Sequence, residues 1–216
     1  MKRAAFALVI GTAALLGACK PQDSQSASQQ QAPLTATQLE ALQPMAIDRI
    51  LGNKDAKVTI VEFASYTCPH CGDFHKQILP EIKKNYIDTG KVRFILRPMP
   101  LDNLALAVAK LTFCVPEDRY YNFAGAFFNS QNAWVPAPDR LAALKNIAQM
   151  GGMTAQQFDD CLKNEQVQKD ILAIDNLAKN GLNVTSTPSF FINGELVKGA
   201  QPFAEFAKII DKKLAE

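Results

Sequence analysis

The sequence predicts an α/β layer interrupted by a large all-helical insertion, and three observations carry that reading. KVTIVEFAS (57–65) and KVRFILRPM (91–99) are β-branched and apolar, with a helical pattern between them. Residues 102 to about 181 show helical patterns only, punctuated by Pro and Gly. Strand patterns then return at TPSFFI (187–192) and ELVKG (195–199), ahead of a last helix.

Each element has its own local reason. The first strand runs directly into Cys68-Pro69-His70-Cys71, where a helix is expected to open and run to about Asn85. Phe74, Ile78, Ile82 and Tyr86 stand at helical spacing along it. The turn DTG (88–90) leads into the second strand, so strand–helix–strand implies a parallel crossover. In the insertion, Asp102 caps NLALAVAKLTFC, Pro116 opens EDRYYNFAGAFFN, and Pro138-Asp139 precedes RLAALKNIAQM. Thr154 and Gln157 have capping-box spacing, and Gly181 is expected as a C-cap. Asn193-Gly194 is a hairpin turn, and Pro202 opens FAEFAKIIDKKL.

The first 47 residues read differently. Met1-Lys2-Arg3 precedes an apolar run from Ala4 to Leu16, too short for the roughly 20 residues of a membrane span. Residues 1–18 therefore read as an export signal. Leu16-Gly17-Ala18-Cys19 resembles the bacterial lipobox, which makes Cys19 the expected lipidation site; an ordinary signal cleaved nearby would leave Cys19 incidental. Lys20 follows it instead of an inner-membrane-retaining aspartate, which points toward the outer membrane. Residues 19–47 are assigned to the lipidated cysteine and a flexible tether, because their Gln/Ser/Ala-rich start lacks large apolar side chains.

Removing the signal takes two of the 23 basic residues, and the remaining 21 match 21 acidic ones. A neutral mature chain gives no electrostatic reason for a nucleic-acid partner. Export places the chain where disulfides persist. Of five cysteines, a lipidated Cys19 leaves Cys68, Cys71, Cys114 and Cys161, which allow three pairings. If Cys68 pairs with Cys71, then Cys114 pairs with Cys161 or both stay free; such a second pair reads as structural.

The Cys-Pro-His-Cys stretch admits three chemistries. A structural disulfide of that spacing closes a very small loop and gains little. A zinc site would need further ligands, and His70 and His75 are the only histidines. Redox activity fits better, because a cysteine at a helix start gains unpaired N–H groups and the positive end of the dipole, which favour the thiolate. Cys68 is then the attacking thiol, Cys71 the less exposed resolving thiol, and His70 an imidazole able to tune the Cys68 sulfur. A stabilised thiolate makes the disulfide an eager electron acceptor. Thr187-Pro188 stands at a strand entry where a cis bond is plausible, although an ordinary trans proline fits the same residues. Glu62, inside an apolar strand, is either a proton acceptor for Cys71 or a solvent-facing position.

VEFASYTCPHC, the helical insertion and TPSFFING together resemble the DsbA family of thioredoxin-fold thiol-disulfide oxidoreductases, over roughly residues 48–214. The resemblance implies a thioredoxin-like domain over 48–101 and 182–216, with an inserted helical domain over 102–181. It implies that Cys68 attacks substrates, His70 tunes it and Cys71 resolves. It also implies that Pro188 is a cis-proline which, with Thr187, holds substrate, and that Glu62 is a buried acid. No cofactor or metal is called for. The expected partners are reduced or misoxidised exported proteins and a DsbB-like, quinone-linked membrane reoxidant. The departures are a lipid anchor, which well-known soluble members lack, the Cys114/Cys161 pair, absent from the best-known form, and His75 where that form carries an acid. Thr187 before the proline is shared with reducing, isomerase-type relatives. Residues 20–47 are too few and too polar for a dimerisation domain, so a monomer is expected. The leading expectation is a lipid-anchored periplasmic dithiol oxidase. The alternatives are a reductase or isomerase using the same site, and a non-catalytic lipoprotein that binds unfolded chains.

Overall fold

Five strands form one mixed sheet in the computed structural model of the chain, which describes residues 33–216. The expected signal and Cys19 lie outside the described residues. The strands are β1 (Ile50–Gly52), β2 (Val58–Ala64), β3 (Val92–Pro98), β4 (Ser189–Ile192) and β5 (Glu195–Lys198), in the spatial order β1-β3-β2-β4-β5. Central β2 pairs parallel with β3 and antiparallel with β4, which places Glu62 between Leu96 and Phe190. A strand buried on both faces must be apolar nearly throughout, and β2 is, apart from Thr59 and Glu62. The two outer pairings, β1 with β3 and β4 with β5, are antiparallel. The Asn193-Gly194 turn joining β4 to β5 has positive φ at both residues, 44° and 86°, as a two-residue hairpin of this type requires.

The sequence gives little sign of β1, which has three residues and ends in glycine. Gly52 sits at φ +98°, and a Cβ there would lie 2.7 Å from Ile87 Cγ2 and 2.9 Å from the Val92 carbonyl oxygen. Glycine is therefore fixed by the close approach of the crossover helix. Ahead of β1 comes α1 (Ala36–Ala41), opened by a capping box between Thr35 and Gln38. This corrects the tether expected over 19–47, whose C-terminal part is folded onto the sheet. Arg97 of β3 is fully buried and forms a bidentate pair with Asp48, at 3.1 and 2.8 Å. The same guanidinium donates to the carbonyls of Ala41 and Gln43, each at 2.7 Å. A buried guanidinium stripped of these partners would be strongly destabilising, so the segment must stay in place.

The crossover runs helically from Pro69 to Ile87, two residues past the expected end. Two α segments, α2 (Pro69–Asp73) and α3 (Leu79–Ile82), alternate with π turns at Phe74–Ile78 and Lys83–Ile87. Pro80 accounts for the first widening, since it lacks an N–H and its ring would collide with the carbonyl four residues earlier.

The insertion comprises α4 (Asn103–Phe113), α5 (Tyr120–Asn129), α6 (Gln131–Trp134), α7 (Arg140–Met150), α8 (Ala155–Lys163) and α9 (Glu165–Asn176). Asp102, Asp139 and Thr154 cap α4, α7 and α8 as their sequence positions suggest. Gly181 is not the left-handed cap: it ends a π turn (Leu177–Gly181), and Asn183, at φ +55°, takes that role. Last comes α10 (Phe203–Ala215), preceded by Pro202. Insertion and sheet share one apolar core, in which Phe63, Phe94 and Phe190 join Phe127, Trp134 and Phe158. Leu34–Glu216 accordingly forms one compact unit. Cys114, at the end of α4, is bonded to Cys161 of α8 with an S–S length of 2.03 Å. No helix among the described residues is long and apolar enough to cross a membrane.

Candidate active site

The end of β2 delivers the chain into a three-residue loop, Ser65-Tyr66-Thr67, and then into α2. Cys68 is the N-cap residue of α2, in extended conformation, with Pro69 directly after it. Proline there forfeits an N–H that has no helical partner anyway. Both Cys68 and Cys71 are unpaired thiols here, 6% and 0% exposed. The Thr187-Pro188 bond is cis, and the Cys68 thiol donates to the Thr187 carbonyl at 3.3 Å. Four residues expected to share a site, Cys68, Cys71, Thr187 and Pro188, are thus brought together.

Their electrostatics separate the two thiols. Cys68 is lowered to about 5, first because the Cys71 thiol donates to its sulfur, an effect that outweighs burial. The Thr187 side chain and the backbone N–H groups of Cys71 and His70 lower it further. The Thr187 hydroxyl has no partner at full hydrogen-bond geometry among the described residues, so its share is smaller than that of the cysteine thiol. Cys71 goes the other way: burial pushes its thiol well up, helped by its bond to Cys68 and by the field of Glu62. One sulfur is therefore prepared as a thiolate and its neighbour as a thiol.

His70 departs from expectation. Its ring is 75% exposed and lies 3.9 Å from the Asp73 carboxylate, so its contribution at Cys68 comes through its backbone amide. Glu62 is fully buried, which excludes the solvent-facing reading. Its Oε2 lies 2.8 Å from Nε2 of His75, a residue that sequence reasoning raised as a zinc ligand and as a departure from the family, but not as a partner of Glu62. Phe128 of α5 stacks on the His75 ring at 3.9 Å and on Tyr66 at 4.5 Å.

Gln131 was also missed. It reaches from α6 to donate through Nε2 to the carbonyls of Tyr66 (2.7 Å) and Cys68 (2.9 Å), tying the insertion to the reactive loop. Its Oε1 would lie 1.9 Å from a Cβ at residue 72, which is why glycine follows Cys71. A lone glutamine sixty residues from the motif carries no sequence signal for this. Beside Thr67 opens a cleft of about 460 Å³, lined in part by Asp102, Leu104 and Arg140. Cys114 and Cys161 take no part in this site.

A cis-proline against an N-cap cysteine in a Cys-x-x-Cys helix, on a β1-β3-β2-β4-β5 sheet, defines the thioredoxin class of redox folds. Residues 46–212 match the family described as Thioredoxin. The chain belongs to that family, among its DsbA-like members. It is 33% identical to Wolbachia pipientis alpha-DsbA1, whose crystal structure superposes with a TM-score of 0.77 over 82% of this chain and 96% of that one. Oxidised BdbD of Bacillus subtilis gives a TM-score of 0.73 at 25% identity, over 80% of this chain and 96% of that one. A candidate protein-disulfide oxidoreductase of Rickettsia felis is 32% identical over 170 residues, 78% of this chain. The match spans only 61% of that relative's own length.

Proposed function

We propose that the chain is an exported thiol:disulfide oxidoreductase that donates the Cys68–Cys71 disulfide to proteins folding outside the cytoplasm. The observation that carries this reading is the split between the two thiols, with Cys68 lowered to about 5 and Cys71 pushed up. Stabilising the Cys68 thiolate stabilises the reduced protein, which makes the disulfide a stronger oxidant. A substrate thiolate attacks Cys68 Sγ, and the S–S bond breaks with its electron pair leaving on Cys71. A second substrate thiolate then attacks the substrate sulfur of the mixed disulfide, releasing Cys68 as its thiolate. The substrate loses two electrons and this chain gains them. Thr187 and Pro188 border the sulfur and hold the substrate backbone, and Glu62 exchanges a proton with Cys71. Cys114–Cys161 is structural.

The names of the relatives support disulfide exchange in general, including a Bacillus subtilis relative called disulfide bond formation protein D, 29% identical over 76% of each chain. A lipid on Cys19 would hold a monomer at a bacterial membrane facing the periplasm, the outer one by the sequence argument, with a DsbB-like quinone-linked partner restoring the disulfide. A reductase or isomerase running the same site in reverse is the competing reading, because threonine before the cis-proline also occurs in reducing relatives. The test adds the oxidised protein, in stoichiometric amount, to a reduced unfolded dithiol protein and counts new disulfides by mass spectrometry. An oxidase leaves the substrate oxidised and Cys68/Cys71 reduced. No transfer, with binding retained in Cys68→Ser, would instead support a chain-binding lipoprotein.

A further inference from the structure

A carboxylate and an imidazole meet in the core behind the cysteine pair. Glu62 Oε2 is fixed by His75 Nε2 at 2.8 Å, while Glu62 Oε1 is buried with no hydrogen-bond partner among the described residues. An unpartnered carboxylate oxygen in an apolar core is costly, and such atoms persist chiefly where chemistry uses them. The field of Glu62 reaches Cys71, whose thiol is fully enclosed and cut off from bulk water as a source of protons. The His75 ring is itself held, stacked on Phe128 and edge-on to Phe74, and its side chain keeps only 4% exposure.

We propose that His75 is a positioning residue for the proton that Cys71 gains when the disulfide opens and loses when it closes. By fixing Oε2, it leaves Oε1 of Glu62 as the oxygen that gives and takes this proton. On opening, the S–S bond breaks, its electron pair stays on Cys71 Sγ, and the proton passes from the Glu62 carboxyl to that sulfur. The carboxylate left behind is stabilised by its bond to His75 and regains a proton from solvent past the imidazole. On closing, the Cys71 thiol returns a proton to the carboxylate as its sulfur bonds to Cys68. The inference rests on the redox role of the cysteine pair proposed above, but not on the direction of net flow.

The balance at Glu62 explains why the imidazole matters. Burial raises the proton affinity of the carboxyl, and His75 lowers it through charge and hydrogen bonding, while Cys68 raises it again. Without His75 the carboxyl would hold its proton more tightly and yield it less readily to the Cys71 sulfur. The other groups that face the pair are Cys68 and Cys71 of α2, Tyr66 ahead of α2, and Tyr121 of α5. Burial pushes both phenols upward, so they stay neutral and leave the exchange to Glu62 and the cysteines.

The test combines infrared titration of the Glu62 carboxyl, assigned by its loss in Glu62→Gln, with the pH profile of exchange measured in both directions. A small peptide dithiol reduces the oxidised protein, and glutathione disulfide oxidises the reduced one. In His75→Leu the carboxyl midpoint should rise by about one pH unit or more, and exchange at neutral pH should slow about tenfold. His75→Gln, which keeps a neutral donor, should move both by less. Unchanged midpoints and profiles in both variants, with only thermal stability lowered, would overturn the proposal and leave His75 as packing against Phe128. Should either variant fail to fold, the wild-type protein decides: the Glu62 band must differ between oxidised and reduced forms, and identical bands would overturn the proposal. A strongly reducing potential would reverse the direction proposed earlier and leave this proton step standing.

Discussion

The molecule carries two cysteine pairs that share a chemistry and little else. Cys114 and Cys161, 47 residues apart, are joined across two helices of the insertion, and Cys161 is buried. Cys68 and Cys71, three residues apart, are both buried yet unjoined, at the start of a helix and against a cis-proline. The first pair sits where closing a long loop restricts the unfolded chain. The second sits where donors converge on one sulfur and desolvation falls on the other. Surroundings, more than spacing, decide that one pair is a brace and the other a reagent.

Substitution at Cys68 gives the largest contrast. Cys68→Ser should abolish disulfide transfer altogether while near-ultraviolet circular dichroism stays that of the parent, because the side chain replaced is close in size. Residual transfer in this variant would mean that another thiol carries the reaction.

Next in size is the reactivity of the reduced pair. With Cys68 lowered to about 5 from an ordinary 9.0, its thiolate fraction near pH 6 should be about a thousandfold above that of a free cysteine. Iodoacetamide labelling followed by peptide mapping should place the label on Cys68, rising with pH through a midpoint near 5. A depressed pKa adds stability that is complete above the ordinary thiol value, wanes as pH falls, and vanishes below about 5. The reduced protein should therefore lose stability on acidification across that window in excess of the oxidised protein, as paired urea titrations would show.

Replacing both Cys114 and Cys161 by alanine should lower stability by about 4 kcal/mol in urea titration, for a loop of 47 residues. Exchange rates should stay within a few-fold of the parent. A collapse of exchange in a folded double variant would mean that the brace also shapes the reagent. The smallest effect is expected at the link between the two regions. Gln131→Ala leaves the Tyr66 carbonyl without its side-chain donor and the Cys68 carbonyl with the Gly72 amide alone, at a cost of about 1–3 kcal/mol, and should loosen the reactive loop in hydrogen exchange. Gly72→Ala should act in the same direction, since its Cβ would displace the same glutamine.

Much of this was legible in the sequence. Apolar β2 and β3 announced the crossover, and capping residues announced the helices, because those signals are local. The reactive motif was legible because a helix start explains Cys68 by itself. Pro188 was different: its residues permitted a cis bond, and only the resemblance to a family pointed to one. Glu62 was the same: its own strand pattern left core and solvent sides open, and only the resemblance made it a buried acid. His75 and Gln131 were illegible as site residues, because their roles depend on contacts between elements 13 and more than sixty residues apart. The polar stretch read as a tether hid α1, whose place is fixed by the buried Arg97–Asp48 pair.

The central claim is that the surroundings of Cys68 make its disulfide an oxidant, and its equilibrium potential against glutathione tests this most directly. The account predicts a value more oxidising than about −180 mV, well away from reducing thioredoxins at roughly −270 mV. A value near or below about −240 mV would contradict it and make the chain a reductase.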